Sequence, residues 1–248
     1  MNNILEINNL RKHYHSTNGE IVAVDNFSFN LKQGEFVGIV GPSGCGKSTI
    51  LSILCNLEEK TSGDINYIKD SKIGYMLQQD ALFEWRNILD NCLLGLELNK
   101  TLNKENKDYV INLLNTYGLK DFISSYPDNL SGGMRQRVAL IRTLATKPDI
   151  LLMDEPFSAL DYQSRLKISD DIYQILRKEK KSMIMVTHDI AEAISMCDKV
   201  IVLSNRPATI KKIYDINLEH KSTPINNRTD KYFTKYYEQI WKDIDSNV

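Results

Sequence analysis

Near the N-terminus, apolar and polar side chains alternate, at least in part, in Leu5-Glu6-Ile7-Asn8 and from Ile21-Val22-Ala23-Val24 to Phe27-Ser28-Phe29. A period of two marks half-buried antiparallel strands, and the polar stretch between them, 9–19, reads as a loop. The short apolar run 35–40 is a buried-type strand, followed over 48–57 by good helix formers. Ile65-Asn66-Tyr67 and Ile73-Gly74-Tyr75-Met76-Leu77 read as further strands. The pattern turns helical over about 87–145, where Val110, Leu113, Leu114 and Tyr117 share one amphipathic face. Beyond it, apolar strands at 150–153, 183–186 and 200–203 alternate with helical stretches at 164–178 and 190–196.

Strands alternating with helices imply an α/β protein whose parallel core sheet is covered on both faces. The N-terminal alternation adds an antiparallel β subdomain, and block 87–145 is an inserted α-helical subdomain. The polar run 221–227 reads as a linker to a terminal amphipathic helix carrying Phe233, Tyr237, Ile240, Trp241 and Ile244. The expected organisation is thus one large unit over 1–220 and an appended segment, 221–248.

The chain's 248 residues suffice for one large core with an insertion and argue against two independent domains. A formal charge of −1 provides no basic field to attract nucleic acid, so DNA and RNA are not expected partners. The start lacks a secretory pattern and no apolar run approaches the ~20 residues of a membrane span, so any membrane role is expected through a partner protein. Cys45, Cys55, Cys92 and Cys197 are scattered and form no metal or redox pair. Cys45 stands apart, because a helix N-terminus beside it is expected to favour a reactive thiolate.

Gly41-Pro42-Ser43-Gly44-Cys45-Gly46-Lys47-Ser48, with Thr49 after it, joins a strand to a helix, the context of a phosphate-binding loop. Small residues there let backbone N–H groups point at phosphates, Lys47 meets the outer phosphates, and the Ser48 hydroxyl faces Mg2+. Asp154 follows four apolar residues and is expected at the carboxyl end of a central strand, as a magnesium partner through water. Glu155, one residue on, points differently and is the candidate to orient or deprotonate the attacking water. A third stretch, Leu130-Ser131-Gly132-Gly133-Met134-Arg135-Gln136-Arg137, opens a helix whose N-terminus is an anion site.

In this order the three motifs resemble those of the ATP-binding subunit of an ABC transporter, over about residues 5–214. The resemblance implies the P-loop NTPase, ABC ATPase fold, with ATP and Mg2+ as cofactors. It also implies roles position by position. Gln78 matches the loop glutamine that reaches magnesium and water, with Gln79 as the neighbouring alternative. Asp161, in Ser158-Ala159-Leu160-Asp161, matches the acid of the loop crossing between paired subunits. His188 matches the switch histidine at the γ-phosphate, and Tyr14 the aromatic stacked on adenine. His13, His15 and His220 have no such setting. One γ-phosphate has no need of two cradles from one chain. The family resolves this by packing a second copy head to tail, so that Ser131, Gly132, Gly133 and Gln136 close on the partner's ATP.

The signature stretch, Phe157-Ser158-Ala159-Leu160-Asp161, Leu82-Phe83-Glu84-Trp85-Arg86 and Asp189-Ile190-Ala191-Glu192-Ala193 look most like the nitrate/sulfonate/taurine importer subfamily. Glu84 departs from a usual proline, Leu77 from phenylalanine and Ser158 from glycine. The resemblance implies ATP-driven uptake of a small solute through a separate permease, with an extracellular solute-binding protein in the complex. The ATPase would then sit at the cytoplasmic face of the membrane. Leu82, Phe83 and Trp85, three large apolar residues in a loop expected to be exposed, would dock a permease helix, with local packing within the helical subdomain as the alternative. A soluble ABC ATPase, for instance in iron–sulfur assembly, and an exporter or lipid-extracting ATPase stay open as alternatives.

Overall fold

The computed structural model describes residues 2–16, 19–68, 71–158 and 160–245. In chain order its elements begin with β1 (Asn3–Ser16), β2 (Gly19–Lys32), β3 (Phe36–Val40), α1 (Lys47–Leu54), β4 (Ser62–Tyr67) and β5 (Ile73–Met76). The helical block follows as α2 (Ile88–Leu98), α3 (Lys104–Thr116) and α4 (Gly132–Ala145). Then come β6 (Ile150–Asp154), α5 (Tyr162–Lys178), β7 (Ser182–Val186), α6 (Ile190–Met196), β8 (Lys199–Leu203) and β9 (Ile210–Asp215). Short α7 (Pro224–Asn227) and amphipathic α8 (Phe233–Asp245) complete it.

One sheet has the order β5-β6-β7-β3-β8-β9, parallel except for antiparallel β9. Its strands alternate sides, as period two requires. Phe36 and Val40 of β3 and Leu151 and Met153 of β6 join a core with the helices α2–α6. Val37 and Ile39, with Ile150 and Leu152, join a second core with α1 and the antiparallel sheet β2-β1-β4. The sheet is therefore covered on both faces. Short polar side chains cap the helices: Asn87, Asn103, Ser131, Asp161 and Asp189 accept from amides of the first turns of α2, α3, α4, α5 and α6.

Three expectations need correction. The segment read as a polar loop continues β1, pairing Lys12, His13 and Tyr14 with Val24, Val22 and Ile21. A bulge at Asn9, left-handed at φ 50°, breaks the alternation while Leu10 stays fully buried. β9 was not expected, because its charged Lys211 and Lys212 are exposed and only Tyr214 is buried. The linker-like run 221–227 is fastened: buried Asn227 donates through Nδ2 to the Ser195 carbonyl at 2.7 Å and accepts from the Ser222 amide. Trp241 leaves the apolar face of α8, half-exposed and stacked on Tyr237.

Ile240 anchors α8 in the main core with no exposed surface. Ile240→Ala is expected to cost about 3 kcal/mol of unfolding free energy, the scale of a buried large-to-small change. Urea denaturation of the full chain measures it, and a loss near zero would show α8 as an idle appendage.

Candidate nucleotide site

The parallel strands β5, β6, β7, β3 and β8 finish at one edge of the sheet. Four of them are followed there by a candidate: Gln78 after β5, Glu155 after β6, His188 after β7 and the phosphate loop after β3. Ser43, Gly44, Gly46, Lys47, Ser48, Thr49 and Glu155 line a cleft of about 220 Å3. Gly46 sits at φ 125°, where a Cβ would lie 2.8 Å from the Ala23 carbonyl oxygen, so only glycine fits. No side chain caps α1, which leaves its first amides to the cleft. The Lys47 ammonium donates to the carbonyls of Gly41 and Pro42, each at 2.9 Å, and is almost wholly buried.

Asp154 accepts from Ser48 Oγ at 3.2 Å and from the Tyr75 hydroxyl at 3.4 Å. Burial pushes its carboxyl up, against the Ser48 hydrogen bond that favours the ionised form. Glu155 has a left-handed backbone at φ 45°, costly for a residue with a Cβ, and its amide donates to the Val186 carbonyl at 2.8 Å. Its Oε2 lies 3.1 Å from His188 Nδ1 and 3.5 Å from Gln78 Nε2. Gln78 also donates to Ser158 Oγ at 3.2 Å. Tyr14 is part-buried, its hydroxyl donating to Glu58 and its ring under the Lys12 ammonium. Burial pushes its phenol up, while Thr49 and Arg206 pull the other way.

Ser131, Gly132, Gly133 and Asp161 gather elsewhere, in a cleft that shares no lining residue with the first. Ser131 caps α4, and a Cβ on Gly133 would come within 3.0 Å of Ile168, which explains the small residue. Asp161 caps α5 by accepting from the Ser164 amide at 3.0 Å, and hydrogen bonds from Ser164 hold its carboxyl low. Gln136 is buried and lines neither cleft. Its side-chain carbonyl oxygen lacks a hydrogen-bond partner among the described residues. Ala159 of the crossing loop lies outside the described residues.

The expectation for Cys45 fails. The thiol is 2% exposed and burial pushes it up, outweighing the nearby Lys47 charge. Two further features escaped the sequence. Arg206, on the loop after β8, lines the phosphate-loop cleft. Its only sequence signal is an Arg-Pro pair directly after an apolar strand. Behind His188, buried Glu192 accepts from Thr187 Oγ1 at 2.8 Å beside Arg165. Arg165 in turn donates to the Leu160 carbonyl.

The model of the family described as ABC transporter matches residues 24–158, more than half of the chain. The chain belongs to the ABC transporter family. This ABC protein is 42% identical over 249 residues to the ABC transporter ATP-binding protein YtlC of Bacillus subtilis, covering 98% of this chain and 96% of that one. It is 39% identical over 248 residues to the nitrate import ATP-binding protein NrtD of Synechocystis, covering 95% and 93%. Its fold matches the dimeric ATP-binding cassette MJ0796 bound to ADP and Pi, with TM-score 0.73 and 31% identity over 86% of this chain and 99% of that one. The ABC protein has the ATPase fold expected from its motifs, and it hydrolyses ATP.

Burial pushes the Glu192 carboxyl up to about 7 from its ordinary 4.5. A raised carboxyl binds its proton more tightly when folded, so its contribution to stability is full below 4.5 and is lost as pH rises to about 7. Melting temperature followed across that window should fall in the wild type and fall less in Glu192→Gln. Parallel profiles would mean Glu192 does not hold this proton.

Proposed function

We propose that the chain is the ATPase engine of an importer, working as a head-to-tail pair beneath a separate permease. The observation that carries this reading is the division of the catalytic parts between two clefts. The cleft with Lys47, Ser48 and Glu155 has the phosphate grip and a carboxylate but lacks Ser131–Gly133, and the other has the signature without a phosphate loop. A second copy supplies what each lacks, so ATP acts as the joint between copies and its hydrolysis releases them. The dimeric state named for MJ0796 supports this arrangement.

In the composite site, Gly41 to Thr49 and Lys47 hold the phosphates of ATP, and Tyr14 supports the base. Glu155 receives the proton of the attacking water, with Gln78 and His188 fixing its carboxylate on either side. His188 stands where the terminal phosphate reaches it. Mg2+ fits Ser48, Asp154 and Gln78: a part-buried carboxylate held 3.2 Å from a hydroxyl is an all-oxygen pair, and this cation takes few protein oxygens besides phosphates and water. Bound there, it would neutralise charge developing on the phosphates. Ser131, Gly132 and Gly133 cap the partner's nucleotide together with Gln136, and Asp161 faces the joint.

The permease surface is the loop 80–86. Trp85 is 75% exposed and stacked on Phe83 at 4.8 Å, while Leu82 is buried beneath. Glu84, found where proline is usual, lies 3.2 Å from Arg135 of the signature helix, and Arg135 also pairs with Asp80. A push on this loop thus reaches α4. We assign residues 1–220 to the ATP-binding unit, with the block 87–145 as its signature-bearing arm and 221–248 as a fastened tail. The solute, by likeness to importers of this kind, is a small anion of the nitrate, sulfonate or taurine kind or a related organic nutrient, delivered by an extracellular binding protein. Work at the cytoplasmic membrane face goes through the permease, since no described helix is long and apolar enough to cross a membrane.

Glu155→Gln should lower ATP turnover by at least about a hundredfold while keeping ATP-induced pairing in light scattering. Rapid hydrolysis by that variant, or a monomer at saturating MgATP, would defeat the mechanism. In vesicles reconstituted with the permease, Trp85→Ala should keep ATP binding and reduce solute moved per ATP. Unchanged coupling would remove the loop from the docking surface.

A further inference from the structure

The loop joining β8 to β9 is built onto the nucleotide cleft and held there by its own bonds. The Ala208 amide donates to the Ala23 carbonyl at 2.9 Å, and the Asp25 amide donates to the Ala208 carbonyl at 3.0 Å. Ser204 Oγ accepts from the Thr209 amide at 2.9 Å and donates to the Pro207 carbonyl, closing the loop on itself. Ala208 also packs against Gly46, with its Cβ 3.2 Å from where a Cβ on that glycine would stand. The tip of this loop presents Arg206. Its Nε and Nη2 both donate to the Gly44 carbonyl, at 3.2 and 2.8 Å.

Arg206 is exposed and lines the cleft with Gly44, Lys47, Ser48 and Thr49. Among the described residues no carboxylate forms an ion pair with it. A guanidinium has more donors than one carbonyl can use, so N–H groups are left over at the mouth of a phosphate site. Lys47 and Arg206 occupy different parts of the loop: Lys47 lodges on Gly41 and Pro42, and Arg206 on Gly44. A phosphate tail laid along the loop therefore meets both cations.

We propose that Arg206 is a nucleotide-binding residue, whose guanidinium takes phosphate oxygens that ATP and ADP share. A planar fork suits phosphate oxygens, and the Gly44 carbonyl preorients it before nucleotide arrives. The proposal rests on the cleft around Lys47 being the nucleotide site. It goes beyond the phosphate loop in adding a cation from a remote part of the chain, more than 150 residues downstream of Gly44.

The test is binding of a fluorescent ADP analogue to the full chain, with adenosine as a phosphate-free competitor. Arg206→Gln should weaken the ADP analogue about tenfold, the size of one charge-assisted hydrogen bond, and leave adenosine unaffected. Arg206→Lys, which keeps the charge without the fork, should fall between. Lys47→Ala is the control for the cleft itself. If Lys47→Ala loses affinity and Arg206→Gln does not, Arg206 is no ligand and the cleft reading stands. If Arg206→Gln weakens adenosine as much as ADP, or lowers the melting temperature without nucleotide, it only clasps Gly44 and the proposal is wrong. If Lys47→Ala binds like the wild type, the cleft reading and this proposal fall together.

Discussion

Parallel pairing of β5, β6, β7 and β3 is the constraint on which the rest of the structure depends. Parallel strands all finish at the same edge, so segments far apart in sequence are delivered side by side wherever their strands stop. Gln78, Glu155, His188 and the phosphate loop meet for this reason. Slipping β6 by one residue against β7 would turn Asp154 away from Ser48 and send Leu152 to the wrong core. The two apolar cores, one on each face, hold that register, and catalytic geometry is thereby a by-product of hydrophobic packing.

At that edge, local favourability gives way to chemistry. Glu155 holds a left-handed backbone that most residues avoid, anchored by its amide on the Val186 carbonyl of β7. Asp154 is a carboxylate with much of its water removed, steadied by two hydroxyls. Lys47 and Arg206 rest on loop carbonyls, so both cations are aimed before any anion arrives. The neighbouring packing over-determines these arrangements, which is why they persist.

The second cleft is tied to the first through side-chain bridges between elements. Arg165 spans the Leu160 carbonyl, Asp189, and Glu192, which is bonded to Thr187 next to His188. Arg135 and Arg142 of α4 fasten the loop after β5, through Asp80, Glu84 and the carbonyls of Asp80 and Ala81. Guanidinium groups suit this work because one planar head can hold several acceptors at fixed angles. The departure at Glu84 acquires a partner in this way, an ion pair with Arg135.

Legible in the sequence were the buried strands from β3 to β8 with their intervening helices, the phosphate loop, and the acidic pair after β6. Each is written in contiguous residues: Gly46 beside Lys47, or four apolar residues before Asp154. It misread β1 and β9, where charged or polar side chains face water from strands whose backbone pairing leaves no compositional trace. It misjudged Cys45, because a helix N-terminus is visible in sequence and desolvation is not. Arg206 leaves only an Arg-Pro pair after β8 as its trace, because its place over Gly44 is a contact between segments far apart in the chain. Which loop lies over Gly44, which clefts stay separate, and which groups lose their water are properties of non-local packing. Only the tertiary structure decided them, because distance in space is set by how the two cores close and not by spacing along the chain.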